Sequence, residues 1–358
     1  MNDRPRARKG RGALSNPPPR FDAHQITAVD DGWYLEEESE SIPTTLEPDR
    51  ARGVITTNDS PDIPFEQSIN PYRGCSTGCP FCFARPTHAY LGLSPGIDFE
   101  TRLFYKADAA RILEAELSRP GYVCKPIQLG INTDAYQPDE RHMKVTRSIL
   151  EVLERTRHPV SILSKHTLLL RDLDLLISLA RDNLVSVSLT ITTLDDELKR
   201  RLEPRAASPA ARVRTLAALA TAGVPCGVMV APVIPALTDH EMERILQACA
   251  AAGARWAGYT LLRLPHEVKD LFKEWLAAHY PQRAEHVMAL IRDMRGGREN
   301  DARFGSRMRG TGACALLLRS RFRLACQRLG LNSTAREALD TTRFRPPGPA
   351  GAQMQLGW

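Results

Sequence analysis

Short β-branched runs alternate with helical patterns from residue 66 to residue 261, and no other feature of the chain limits its fold as tightly. The runs are IQLGI at 127–131, VSIL at 160–163, LVSVSLTI at 184–191, CGVMVA at 226–231 and RWAGYTL at 255–261. Helical patterns fill the gaps at 142–156, 167–182, 209–222 and 239–252. A strand followed by a helix, recurring about every 25 to 40 residues, is the pattern of βα units around a parallel sheet. With a first strand at 66–70 and its helix at 107–118, the chain holds six such units. Six are too few for a closed eight-stranded barrel. They suit an open α/β barrel, a partial TIM-like (β/α)6 architecture whose site gathers at the C-terminal ends of the strands. A doubly wound sheet is the alternative, because periodicity alone does not decide closure.

Around this core, at 61–285, the composition changes. Residues 1–60 join a Pro/Arg-rich start, NPPPR at 16–20, to the acidic EEESE at 36–40, and are expected to form a largely disordered N-terminal arm. Residues 286–345 form an Arg-rich C-terminal helical cap with a helix at 312–329, and 346–358 are a tail. The net charge of +6 is concentrated at the two ends: 292–328 alone carry ten arginines against Asp293, Glu299 and Asp301. Basic ends of this kind can recruit a polyanion, though solvated helix faces are also often basic. No apolar run is long enough to span a membrane and the N-terminus lacks an apolar leader, so the expected location is cytoplasmic with no membrane partner.

Five of the eight cysteines, Cys124, Cys226, Cys249, Cys314 and Cys326, stand singly among apolar or helical neighbours and read as small buried hydrophobes. The other three fall together in INPYRGCSTGCPFCFARPTHAY, from Ile69 to Tyr90. Cys75, Cys79 and Cys82 have C-x3-C-x2-C spacing directly after the first strand, at the mouth of the barrel. Gly74, Ser76, Gly78 and Pro80 let the loop curl until the thiolates approach one centre. Electron-transfer 4Fe-4S clusters use four cysteines, so three leave one iron open. That iron can chelate the amino and carboxylate groups of a methionine moiety. One electron passed to the sulfonium then cleaves its C–S bond, leaving methionine and a 5'-deoxyadenosyl radical that abstracts hydrogen from a substrate. The alternative is a zinc site completed by His88, but zinc sites more usually pair two knuckles and no second knuckle exists here.

The triad, with aromatic Phe81 before its last cysteine, resembles the motif of the radical S-adenosyl-L-methionine (SAM) superfamily. The wider strings NPYRGC, CFARPTHAYLGLSPGIDFE and NTDAYQPDER resemble bacterial proteins related to spore photoproduct lyase, over about residues 55–345. The resemblance implies a radical SAM enzyme with a partial (β/α)6 barrel, a 4Fe-4S cluster on Cys75, Cys79 and Cys82, and bound SAM. It also implies SAM contacts at Phe81, at Asn132, Thr133 and Asp134 after the second strand, at Lys165 after the third, at Ser188 in the fourth, and at Arg205 in RRLEPR. A one-electron reductant such as flavodoxin or ferredoxin would be its partner. In the lyase a cysteine hydrogen donor precedes the Thr/Asp element, and Ile131 stands at the corresponding place here. The substrate is therefore unknown. A nucleic-acid substrate is admissible through Arg303, Arg307 and Arg309 in RFGSRMRGTG, where a structural loop is the alternative. A non-catalytic zinc or iron-sulfur module acting through its basic ends is the second functional reading.

Overall fold

The computed structural model describes residues 7–22, 42–335 and 337–348. Ten strands form two sheets: β1 (Thr45–Pro48), β2 (Ile55–Thr57), β3 (Gln67–Ile69), β4 (Tyr72–Arg73), β5 (Arg102–Tyr105), β6 (Ile127–Leu129), β7 (Val160–Ser164), β8 (Val185–Thr190), β9 (Cys226–Val233) and β10 (Trp256–Leu261). The larger sheet runs β10-β9-β8-β7-β6-β3-β2. Its six strands from β3 to β10 are parallel, and β2 lies antiparallel on the β3 edge. The sheet is therefore open, with six βα strands in sequence order and no closure between β2 and β10.

Strand alternation divides each strand between two environments. Val185, Val187 and Leu189 of β8 join the main core, where they meet Leu153, Leu179, Leu216, Leu219, Ile245 and Leu246 of the surrounding helices. Ser186, Ser188 and thus Thr190 point to the opposite, inner face. Register continues that face across neighbours, with Gln128, Ser161 and Ser186 in one row and Leu163, Ser188, Gly227 and Trp256 in the next. The inner wall is polar enough to receive a polar ligand.

Local chemistry sets the helix starts. Ser208 caps Pro209–Thr221 through its hydroxyl, which accepts from Ala211 N at 3.3 Å, and Pro209 occupies the first helical position. Asp195 caps Asp196–Leu202 by accepting from Glu197 N at 2.7 Å and Leu198 N at 3.1 Å.

The second sheet, in the order β1-β5-β4, did not register as a hydrophobic pattern because its strands are short and half exposed. It fixes the approach to the cysteines, since β4 ends just before Gly74 and Cys75 N donates to Phe99 O at 2.9 Å. At the other end, Gly312–Arg328 packs beside Met242–Ala251, and Arg321 grips Glu243 at 2.7 Å. The chain then returns beneath the barrel, where Phe344 stacks edge-on against His158 at 5.2 Å.

The expectation of a largely disordered arm needs correcting for its described parts. Residues 42–60 contribute β1 and β2, and Arg11 to Leu14 are buried. The acidic EEESE run lies outside the described residues, as do 1–6, the remainder of 23–41, and 349–358 of the tail.

Candidate active site at the barrel mouth

All three loop cysteines are free thiols; Cys75 and Cys79 are buried and Cys82 nearly so. Gly78 lets the loop turn between them, with φ at 75°, a value that a side chain would strain. Cys82 N donates to Cys79 O at 3.2 Å, and the buried Arg85 guanidinium donates to the same carbonyl at 2.8 Å. Burial pushes the Cys75 thiol up to about 12, with nearby Asp134 adding to the shift, and it raises Cys79 and Cys82 as well. Thiols held protonated this way release their protons as they take a metal. Among the described residues no three His, Cys, Asp or Glu side chains converge on a single-ion site. A cluster does not require such convergence, because each thiolate takes a different iron. His88 is committed elsewhere: its Nε2 lies 2.9 Å from Arg102 O, and its ring packs edge-on against Phe99.

The segment NTDAYQPDER clamps the cysteine loop from the β6 side. Gln137 accepts from Ser76 N at 2.8 Å, and Asp139 accepts from the Ser76 hydroxyl at 2.8 Å. Glu140, fully buried, accepts from Arg171 at 2.7 Å and from the Tyr72 hydroxyl. Asn70 Oδ1 accepts from the backbone of Ile131 at 3.0 Å and of Asn132 at 2.8 Å, which sets the β6 loop against the first motif. Asn132 itself is exposed and Thr133 is buried. The Asp134 carboxylate accepts from Tyr136 N at 2.9 Å, Ser164 Oγ at 2.8 Å and Lys165 N at 2.7 Å. It therefore forms an Asx turn and joins the ends of β6 and β7.

Lys165 leaves β7 and reaches across the cluster loop. Its ammonium lies 5.8 Å from the centroid of Phe81, donates to Glu203 at 2.6 Å, and lies 3.5 Å from Thr192 Oγ1. Glu203 is fully buried and also holds Arg212, whose guanidinium donates to Ala207 O at 2.9 Å and Thr190 O at 2.8 Å. Burial alone would raise the Glu203 carboxyl, yet Arg212 and Lys165 hold it well below the usual carboxylate range. Phe81 packs with Cys79, Leu198 and Leu202 in a second core cluster. Arg205 donates its backbone N–H to Thr77 O at 3.3 Å, while its exposed guanidinium turns toward Thr44 Oγ1 at 3.4 Å. Ser188 accepts from Trp256 Nε1 at 3.1 Å, so its hydroxyl faces inward with a partner.

Over the outer side of the loop runs the N-terminal segment. Glu100, ion-paired with Arg85 in full burial, accepts from Gly12 N at 3.0 Å and Ala13 N at 2.8 Å. Arg11 returns the contact to Glu100 O at 3.0 Å. A Cβ on Gly12 would stand 1.7 Å from Gly78 O, so only glycine fits. Gly12→Ala is expected to lift this strap and lower stability by about 1–3 kcal/mol, the usual cost of overpacking. Thermal melting and proteolytic cleavage within residues 7–22 check this, and an unchanged cleavage rate would disprove it.

A family model, that of the radical SAM superfamily, matches residues 69–249. The chain belongs to the radical SAM superfamily. It is an enzyme of that superfamily, and its cofactors are a 4Fe-4S cluster and SAM. An uncharacterized protein of Mycobacterium tuberculosis H37Rv is 40% identical over 232 residues, 64% of this chain and 68% of that one. One from Methanocaldococcus jannaschii is 28% identical over 219 residues, 61% of this chain and 78% of that one. Among solved structures, a point variant of spore photoproduct lyase superposes with a TM-score of 0.57 at 16% identity, covering 80% of each chain. A lyase variant with bound AdoMet and dinucleoside spore photoproduct gives 0.56 at 15% identity and the same coverage. These likenesses are of fold, and they agree with the open parallel sheet.

In this radical SAM fold the arginines of RFGSRMRGTG are mostly engaged within the chain. Arg307 holds Asp62 at 2.7 Å and is 14% exposed, and Arg303 holds Asp301 at 3.0 Å. Arg309 is exposed, over the Tyr259 ring at 4.8 Å. Ile131 is half-buried, its backbone on Asn70. Asn70, Arg85 and Glu100 lie within NPYRGC and CFARPTHAYLGLSPGIDFE, but those strings gave them no individual role, and Arg212 lies in none of the quoted strings. Glu203 stood beside the favoured Arg205, and it is Glu203 that meets Lys165. No described helix is long and apolar enough to cross a membrane.

Proposed function

We propose that Cys75, Cys79 and Cys82 each bind one iron of the 4Fe-4S cluster, leaving the fourth iron for the methionine moiety of SAM. The observation that carries this reading is the arrangement of free, largely buried thiols on one loop at the strand ends, clamped through Ser76 by Gln137 and Asp139. The donor set suits the group: it is all sulfur, with no carboxylate among the ligands. When bound, cluster and SAM supply reductive C–S cleavage and a 5'-deoxyadenosyl radical.

The chain's own residues orient SAM and exclude water. Lys165, with its charge fixed by Glu203, stands beside Phe81 and offers a cation to an anionic part of SAM. Ser188 lines the inner wall where a ribose would rest, while Asn132 and Thr133 present the β6 loop. Asp134 serves by positioning Lys165. Arg205 supports the loop through its backbone and would need to swing from Thr44 to meet a carboxylate. The electron comes from a flavodoxin- or ferredoxin-type donor. The substrate reading is a nucleic-acid-related molecule, with Arg309 the most available of the three loop arginines.

Anaerobic reconstitution is expected to give about four irons per chain and 5'-deoxyadenosine from SAM under dithionite. A colourless zinc protein without that product would overturn the assignment.

A further inference from the structure

Arg263 stands just beyond the C-terminal end of β10 with no acidic partner. Among the described residues it forms no ion pair, and its side-chain hydrogen-bond contact is Nη1 to Met308 Sδ at 3.7 Å. Its Nε is buried without a partner, whereas Nη2 is neither hydrogen-bonded nor among the sealed atoms. The guanidinium lies 5.4 Å from the ring centroid of Phe83, the residue after Cys82, so it borders the cluster loop directly. Phe83 is 42% exposed and walls one side of the opening.

The surroundings intensify the charge. Arg295 is buried and donates only to carbonyls, Leu262 O at 2.7 Å, Arg307 O at 2.7 Å and Ser306 O at 3.2 Å. These bonds hold the 303–312 loop beside β10, together with Leu261 N to Met308 O at 2.9 Å. Arg307 and Arg303 each have a carboxylate, Asp62 and Asp301. Arg263, Arg295, Arg303, Arg307 and Arg309 thus share two carboxylates; of the three left without one, Arg309 is exposed, and the less exposed excess falls on Arg263 and Arg295. Burial and the nearby Arg307 both push the Arg263 pKa down, against a smaller opposing pull from Asp62, whose carboxylate is held by Arg307. A partly desolvated guanidinium kept without a counter-charge is costly in a folded chain unless a ligand supplies one. Arg295 is covered by its carbonyls, so the open position belongs to Arg263.

We infer that Arg263 is the anchor for an oxyanion, phosphate or carboxylate, on the substrate of this enzyme, with Phe83 as the apolar wall beside it. This rests on the radical SAM reading of the adjacent cysteine loop, because an anchor here holds a substrate next to where the radical forms. A fork of guanidinium donors suits either oxyanion, and the geometry favours two-point contact over a point charge.

The test uses the reconstituted, anaerobic holoenzyme titrated calorimetrically with inorganic phosphate and, in a separate arm, with acetate. Saturable binding of at least one is expected, weakened about tenfold or more in Arg263→Gln, the effect of losing a charge-assisted hydrogen bond. Arg119→Gln, at an exposed arginine outside the site, should bind as the parent does, and Arg263→Lys should fall between. A response to phosphate alone identifies a phosphoester substrate, and a response to acetate a carboxylate. If Arg263→Gln fails to fold, Arg263→Lys with its expected several-fold loss decides the matter. Absence of saturable binding, equal binding by both Arg263 variants and the parent, or an equal loss in Arg119→Gln overturns the anchor. A tenfold loss of SAM affinity in Arg263→Gln also overturns it, by making Arg263 a cofactor contact. Deoxyadenosine formation is measured on the same preparation. SAM cleavage without anion binding rejects the anchor alone, whereas anion binding without SAM cleavage rejects the radical reading.

Discussion

Cys79→Ala abolishes cluster assembly, and Cys249→Ala leaves it intact: this is the largest contrast expected among the cysteine variants. Cys79 is buried against Phe81 and Leu202, on a loop whose carbonyl Arg85 holds in place. On the proposed assignment, removing its thiolate leaves an iron with no protein ligand, and among the described residues no group of three His, Cys, Asp or Glu forms a substitute metal site. Cys249 lies in the helix Met242–Ala251, fully buried in the main core, where it acts as a small hydrophobe. Alanine there costs packing but no ligand. Iron and sulfide content per chain, with the visible absorbance of the reconstituted protein, reads the difference. Equal loss of iron in both variants would show the ligand assignment to be wrong.

The second large effect is expected at Glu203. Glu203→Gln leaves Arg212 and Lys165 without their shared carboxylate in a site only about 1% exposed at both Glu203 and Arg212. Breaking a buried ion pair by removing one partner costs about 3–5 kcal/mol. Chemical denaturation at neutral pH should show that loss. The pH dependence gives an independent reading. Unfolded glutamate titrates near pH 4.3, and the folded carboxyl lies below that because of Arg212 and Lys165. The stability it contributes is therefore fully present above its unfolded pKa and is lost as pH falls through its depressed folded value. Below about pH 4 the parent should lose stability steeply, and Glu203→Gln should lose it less steeply over the same interval. Parallel acid limbs would show that Glu203 is not the group that ties Lys165 and Arg212 together.

Both predictions concern places of different legibility in the sequence. The parallel strands β7 to β9 were plain because each is rich in β-branched residues, β3 and β6 less so, and the cysteines were plain because their spacing is chemical rather than statistical. Lys165 was visible as a polar residue at a strand end. Its partner was not, because Glu203 lies 38 positions away and meets it only after the β7 and β8 units have folded. Glu100 was hidden for a related reason. A carboxylate that accepts from two backbone N–H groups leaves no side-chain pattern at the donor positions, Gly12 and Ala13. The Pro/Arg-rich start of the chain has no apolar periodicity, so it reads as disordered, yet hydrogen bonds to Glu100 and the burial of Ala13 and Leu14 hold it. The loop at 303–312 was legible only in part. Its arginines suggested anion binding, while Arg307 pairs with Asp62, 245 positions earlier, and the unpaired Arg263 lies outside the motif.

The strap over the cysteine loop also fixes an order of assembly. Residues 10–14 leave the ribosome before any cysteine of the triad, yet their seat does not exist until Glu100 has met Arg85 and the loop has curled to present Gly78. A segment made before the loop is thus docked after it. On the proposed ligand assignment, iron and sulfide delivered before that docking would meet an uncovered loop, and the docking of Gly12 and Ala13 would then close the door behind them.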